Sequence, residues 1–443
     1  MPSLLMPDVR ALPARTAALA DIKLDSRKLG IKRVEIRRTP WHVLRCNRGF
    51  RWYFLGSVTS DFGTWVQNSA QVLLAYQLAH SVLAVGLVTV AQFTSPLLLG
   101  PWAGVAADRF GGRRTLLATQ LTSAGVAGLL AGFDFAGLLN AWVLVAGAII
   151  SGLAFTFALP ARNVTVQRLV QPDKLKPAYA MDSVSYNLGR ALGPVLTMAL
   201  DLLGVSFAWA FAANAVSFVV FSGILWVVNM RAEAEPERRS RVRDGFRIAW
   251  RDQRIRILLL MVVAVTIADD PILVLGPALA KQLNAPPASS GWFIAALGAG
   301  TVFGSFRRSK HKPAIRLAAT ALAALALCML IFVFGHSVWI SGAAAVGAGA
   351  SCLVANSVTR AVLAELAGPE RAAAVMAVWA IAWAGSKPFA SLLDGLLGSW
   401  IGPQWTGLIL ATPALLPILA IMLLPKLVVA LGGTPTAAAY AQS

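Results

Sequence analysis

Charge is what this chain has least of. Only 13% of its 443 residues are Asp, Glu, Lys or Arg, about half the share of an ordinary soluble domain. That excludes a water-soluble multidomain enzyme; a disordered chain needs the opposite balance. Histidine and cysteine are scarce too. His42, His80, His311 and His336 stand apart, and Cys46, Cys328 and Cys352 form no close pair. Neither a disulfide framework nor a metal site is expected. There is no Gly-x-x-x-x-Gly-Lys-Ser/Thr loop, so nucleotide-driven chemistry finds no support. No cofactor, no bound metal and no enzymatic activity are expected.

What the chain has in excess is apolar length. Hydrophobic residues make up 57%, and the mean hydropathy is +0.67. At about 20 residues per span, that supplies roughly a dozen transmembrane helices. Apolar runs place them near 52–77, 82–106, 114–133, 138–160, 177–200, 205–229, 255–280, 289–306, 314–334, 338–362, 372–397 and 404–425. A basic extension (1–51) precedes the first six-helix bundle (52–229). A charged linker (230–254) separates it from the second bundle (255–425), and a tail (426–443) follows. Within Arg241 to Arg256, Val242, Phe246, Ile248, Ala249 and Trp250 are interleaved with arginines, as in a helix lying along a membrane surface.

The net charge of +19 is distributed unevenly. With the N-terminus placed on the cytoplasmic side, 36 of the 39 Lys and Arg fall in cytoplasmic segments, Arg162 and Arg360 among them. The opposite loops hold Lys281, and Arg190 and Lys387 lie within spans. This is the pattern of the positive-inside rule. It predicts a multi-pass plasma (inner) membrane protein with both termini cytoplasmic. Basic charge spread over alternate loops fits anionic inner-leaflet lipid, so nucleic acid is not an expected partner. The extension lacks a short apolar core with a cleavage site, so no removable signal is read there.

The halves echo one another. Pro172-Asp173-Lys174 and Tyr179-Ala180-Met181 correspond to Pro369-Glu370-Arg371 and Met376-Ala377-Val378, and the same offset of 197 residues carries Arg190 onto Lys387. Two six-helix halves related by duplication form a recurring transporter architecture.

The loop after the second helix reads Gly104-Val-Ala-Ala-Asp108-Arg109-Phe-Gly111-Gly112-Arg113-Arg114. It resembles the signature loop of the major facilitator superfamily, Gly-x-x-x-Asp-Arg-x-Gly-x-Lys/Arg, with Gly112 where a basic residue is usual. Ser60-Asp61-Phe-Gly63-Thr64-Trp65-Val-Gln67, Leu159-Pro160-Ala161-Arg162-Asn163 and Ser185-Tyr-Asn187-Leu-Gly-Arg190-Ala-Leu-Gly193-Pro194 resemble the bacterial exporter branch that includes enterobactin exporters. The likeness runs from about 47 to 425 and weakens in the second half, where Gly300 to Lys310 lacks the signature Asp. It implies an all-α membrane protein of twelve helices in two pseudo-symmetric bundles. It also implies a latch in which Asp108 faces the start of the eleventh helix, near Glu370, held by Arg109 and Arg113. Gly104 allows close packing there, and a carboxylate at a helix N-terminus gains about 0.3–1 kcal/mol.

Ionisable groups inside spans are costly and mark function. Asp61, Trp65, Asn68 and Gln71 form a polar stripe on the first helix. Asp182, Tyr186 and Arg190 follow one another at spacings of 4 on the fifth. Arg190 can clamp an anionic cargo or neutralise a carboxylate. Lys387, unlike Arg, can give up its proton when buried. Asp269 and Asp270 sit side by side before Pro271, and neighbouring carboxylates resist double ionisation, as suits a proton carrier. Asp61, Asp269 and Asp270 are the proton-coupling candidates. Trp65, Asn68, Gln71, Asp182, Tyr186, Arg190, Lys387 and the Trp379/Trp383 pair are the cavity candidates. Asp394 and Asp201 read as interfacial. The expected activity is proton-coupled antiport, exporting a small amphipathic molecule such as a drug, siderophore or other metabolite. The alternatives are a lysophospholipid cargo, or a non-transporting membrane sensor or assembly protein. The expected partners are substrate, protons and the lipid bilayer, and a monomer is expected.

Overall fold

The structure is a computed structural model that describes residues 40–171, 174–230, 242–307 and 315–423. Residues 1–39 of the extension, the linker run 231–241, Pro172–Asp173, loop residues 308–314 and the tail lie outside the described residues, as does the side chain of Glu370. Every regular element described is helical.

The first half comprises a short α1 (Pro40–Cys46), then α2 (Arg48–Ala79), α3 (Val82–Phe110), α4 (Gly112–Phe135), α5 (Ala141–Leu169), α6 (Leu175–Leu202) and α7 (Phe207–Val227). A ten-residue α8 (Val242–Arg251) precedes the second half. Its seventh span is broken into α9 (Gln253–Asp269), α10 (Pro271–Val274) and α11 (Gly276–Gln282). Then come α12 (Ser290–Arg307), α13 (Ile315–Phe334), α14 (Val338–Trp400), and the last span as α15 (Pro403–Ala411) and α16 (Leu416–Leu423). The arrangement is twelve spans in two bundles. α14 supplies two of them, because Gly368 takes φ 69° and ψ 167° and turns the chain between its arms. Gly111 does the same between α3 and α4 at φ 84°. A side chain at either position would be strained by about 1–3 kcal/mol.

Seven described helices are long and apolar enough to cross a membrane on composition alone. Among the rest are α2, α6 and the second arm of α14, which carry the interior charges Asp61, Asp182, Arg190, Lys387 and Asp394. Side-chain caps fix where spans start. Asn47, Ser81, Asn140, Ser206 and Ser337 each accept a backbone N–H from the first turn, satisfying donors that a helix leaves open.

Several boundaries shift from the sequence reading, and two of the shifts bear on the site. The first span starts at Arg48, with α1 packed before it through the fully buried Val43. α5 continues through Pro160 to Leu169, nine residues past the expected end. A proline can stay in a span where other groups satisfy the freed backbone. The extra turns lift Arg162 out of a loop and into the first bundle.

The bundles meet along α3 against the second arm of α14, and along α6 against α12. A Cβ on Gly86 would lie 2.7 Å from the Ser391 carbonyl oxygen, and Gly291 is pressed on Pro194 and Met198. Small residues permit such backbone approach. Gly100 lies about 21 Å further along α3 and within about 40° of Gly86 around it, yet meets nothing within 4 Å. α3 and the second arm of α14 are therefore packed backbone to backbone at the end holding the α2–α3 turn, and toward the end holding α8 they meet through the Leu97 side chain against Gly385. α8 lays Gly245 against the Ala374 carbonyl and buries Ala249, while Phe246 and Trp250 are exposed. It is the amphipathic helix expected in the linker.

Candidate functional site

Two polar systems occupy the interior. The first lies within the first bundle and centres on Arg162. Its Nη1 is 2.6 Å from Asp61 Oδ1, and its Nη2 is 2.9 Å from Asp182 Oδ1. Nη2 also donates to Ser57 Oγ, Ser185 donates to Asp61 Oδ2 at 2.6 Å, and Tyr53 donates to Asp182 at 3.3 Å. One guanidinium thus bridges two helices, α2 and α6, from a third, α5. Charge-assisted bonds of this kind are strong. Asp61 also borders a side cavity of about 100 Å³ with Thr64, Trp65, Asn68, Gln120 and Arg162. Asp182 is a correction to the sequence reading: it lines neither this cavity nor the central one. It lies about 12 Å along α6 from Arg190, committed to Arg162.

The second system is a central cavity of about 250 Å³ between the bundles. The first bundle contributes Trp65, Asn68, Phe93, Tyr186 and Arg190, and the second contributes Asp269, Asp270, Asn356, Arg360, Trp379, Trp383 and Lys387. Gln71 is the second correction. It is fully buried and accepts from Gln92 Nε2 at 3.2 Å, away from the cavity. Ten residues after Asp61 the helix has turned by about 80°, so the stripe drifts off the cavity face.

The break between α9 and α10 separates the two neighbouring acids. Asp270 receives Lys387 Nζ at 3.1 Å and the Ser391 hydroxyl. Asp269 receives the Cys352 thiol at 3.6 Å. Asp394, read as interfacial, is instead fully buried. Neither of its oxygens has a donor, and the carboxyl stands against Asp270.

Aromatic rings frame the cations. Trp379 and Trp383 stack at 6.2 Å with their planes 4° apart. Trp65 meets Tyr186 edge-on at 5.6 Å. Arg190 lies 5.8 Å from the Trp65 ring and Arg360 4.9 Å from that of Trp379. Lys387 sits 5.3 Å from the Phe93 ring.

At the signature loop, Gly104 is buried, Asp108 is half-buried at the end of α3, and Arg109 lies 5.7 Å from the Phe110 ring. Arg113 donates to the Trp226 carbonyl, tying the loop to α7.

A family model of transmembrane secretion effectors, a branch of the major facilitator superfamily, matches residues 38–432. The chain belongs to this family. Members of this family are membrane-spanning major facilitator transporters, not enzymes. The chain is 23% identical over 271 residues to the uncharacterized MFS-type transporter YfiS of Bacillus subtilis, covering 58% of this chain and 63% of YfiS. It is 25% identical over 199 residues to multidrug resistance protein MdtH of Escherichia coli, covering 44% of this chain and 47% of MdtH. These matches span about half to two thirds of the curated relatives. Among solved structures, the nucleoside transporter NupG shares the fold, with a TM-score of 0.71 at 11% identity over 84% of this chain and 99% of that one.

The sequence did not assign Arg162, Arg360 or Asp394 to the site. Arg162 and Arg360 were counted with loops and Asp394 with an interface. The signal available was the motif around Arg162, since a basic residue two positions after Pro160 belongs to a loop only if the helix stops at the proline.

Proposed function

We propose that this transporter exports a small amphipathic molecule by alternating access, driven by inward proton movement. The observation that carries the reading is the central cavity, whose wall joins aromatic stacking surfaces to a buried acid–lysine cluster. Cargo and proton sites then share the Lys387–Asp270 pair. A proton taken up by Asp270 or Asp394 weakens the hold on Lys387 within the second bundle, and Lys387 meets the first bundle at the Phe93 ring, so a change in the pair reaches the contact between bundles and alters which end opens. The groups facing the cluster are Asp269 and Asp270 from the seventh span, Arg190 from α6, Cys352 from the first arm of α14, and Lys387 and Asp394 from the second. Asp61 is the weaker candidate, because Arg162 already neutralises it.

The basic loops put the α8 end on the cytoplasmic side, and an exporter loads its cargo at that end. The likeness to MdtH supports efflux, and the first-span likeness to enterobactin exporters adds siderophores to the cargo classes. Purified protein in proteoliposomes with an imposed pH gradient tests the reading. Adding anionic, zwitterionic and cationic amphiphiles in turn should collapse the gradient for at least one class. Asp61→Asn, Asp269→Asn, Asp270→Asn and Asp394→Asn are compared with the parent. Loss of gradient collapse in Asp270→Asn or Asp394→Asn, with cargo exchange retained, supports the assignment. Normal pH-dependent flux in all four rejects coupling through these acids.

A further inference from the structure

The cations of the central cavity outnumber its acids. Arg190, Arg360 and Lys387 face Asp269 and Asp270. Lys387 and Asp270 are already paired at 3.1 Å. That leaves two guanidiniums against one carboxylate, and Asp269 has a thiol for its near partner. Among the described residues neither Arg190 nor Arg360 forms an ion pair or donates a hydrogen bond to protein. Each is held instead by a ring, Arg190 by Trp65 and Arg360 by Trp379. Ring contact steadies a guanidinium while leaving its five N–H donors uncommitted. The other open groups around the cavity are also mostly donors. Trp65 Nε1 and Trp379 Nε1 are buried without an acceptor. A cavity rich in unused donors and positive charge lacks an acceptor that bears negative charge.

We infer that Arg190 and Arg360, one from each bundle, form a clamp for the anionic head of an aromatic amphiphile, whose ring system lies on the Trp379–Trp383 stack. The head is a carboxylate, sulfonate or phosphate, which a guanidinium fork grips through two bonds. Because the arginines belong to opposite bundles, a bound anion draws the bundles together at the cavity. This rests on reading the cavity as a cargo site.

The test is binding to the purified full chain in a neutral maltoside, followed by calorimetry. The probes are 2-naphthoate, its cationic counterpart 2-naphthylmethylammonium, and the aliphatic anion octanoate. The expected order is naphthoate at least tenfold tighter than the ammonium, with octanoate weaker than naphthoate. Arg190→Gln and Arg360→Gln should each weaken naphthoate about tenfold, the loss expected for a bond to a charged group, and leave the ammonium unweakened. Arg360→Lys should recover part of the loss. Equal or tighter binding of the ammonium, no binding of naphthoate, or wild-type naphthoate affinity in both Gln variants overturns the clamp. Octanoate equal to naphthoate overturns the tryptophan platform. Proton-driven flux of 2-naphthoate unaffected by either Gln variant removes the clamp and keeps transport. Charge-selective binding without flux keeps the clamp and removes transport.

Discussion

Removing Arg162 would leave Asp61 and Asp182 facing each other inside the first bundle. Breaking a buried pair by deleting one partner costs about 3–5 kcal/mol, because the remaining charge is uncompensated. Arg162→Gln should therefore lower thermal stability in detergent sharply. Asp182→Asn, which keeps one carboxylate for the guanidinium, should cost less. Equal, small losses in both variants would show that the three-residue bridge contributes little. At this scale the sequence was only partly legible. Trp65, Asn68, Tyr186, Arg190, Asp269, Asp270, Trp379, Trp383 and Lys387 all line the central cavity; helical spacing puts Trp65 with Asn68, Tyr186 with Arg190, and Trp379 and Trp383 with Lys387 on shared faces, while the two acids reach it at the break between α9 and α10. Depth along a span was harder to read. It depends on where each helix ends, and Pro160 is a poor guide to that within a membrane. So Arg162 was assigned to a loop, and Asp394, six residues before the end of α14, was assigned to an interface.

At the scale of elements, local hydropathy was enough to find the spans. The break in the seventh was foreshadowed by Pro271, and that between the tenth and eleventh falls in the gap left at 363–371. What hydropathy could not supply is which end of the bundle pair is packed backbone to backbone, because that depends on contacts between distant helices. The signature loop makes the prediction for this scale. Asp108 stands in the last turn of α3, two residues before its end at Phe110, and the proposed latch sets it against the start of the eleventh span, where helix N–H groups favour negative charge. Asp108→Asn should slow flux severalfold and change cysteine labelling at the α8 end, while the protein still folds. Flux and labelling both unchanged would reject the latch.

For the whole molecule, the expected boundary between a dispensable extension and the fold is Pro40. α1 begins there, and the Asn47 side chain donates to the Leu169 carbonyl at 2.6 Å, joining the chain's entry to the end of α5. Removing residues 1–39 should preserve yield and monodispersity, and removing residues 1–47 should not. Loss of both after the shorter truncation would make the extension part of the fold.

The central claim is that cargo crosses because the two bundles take turns parting at each end. The end packed backbone to backbone offers a direct test. A Cβ on Gly398 would stand 3.5 Å from Val82 Cβ, within the range a disulfide spans. With Val82→Cys and Gly398→Cys joined, the end containing the α2–α3 turn cannot open. Proton-driven flux should fall to that of empty vesicles under oxidation and return on reduction, with either single substitution active throughout. Undiminished flux through the oxidised, cross-linked protein would contradict the account.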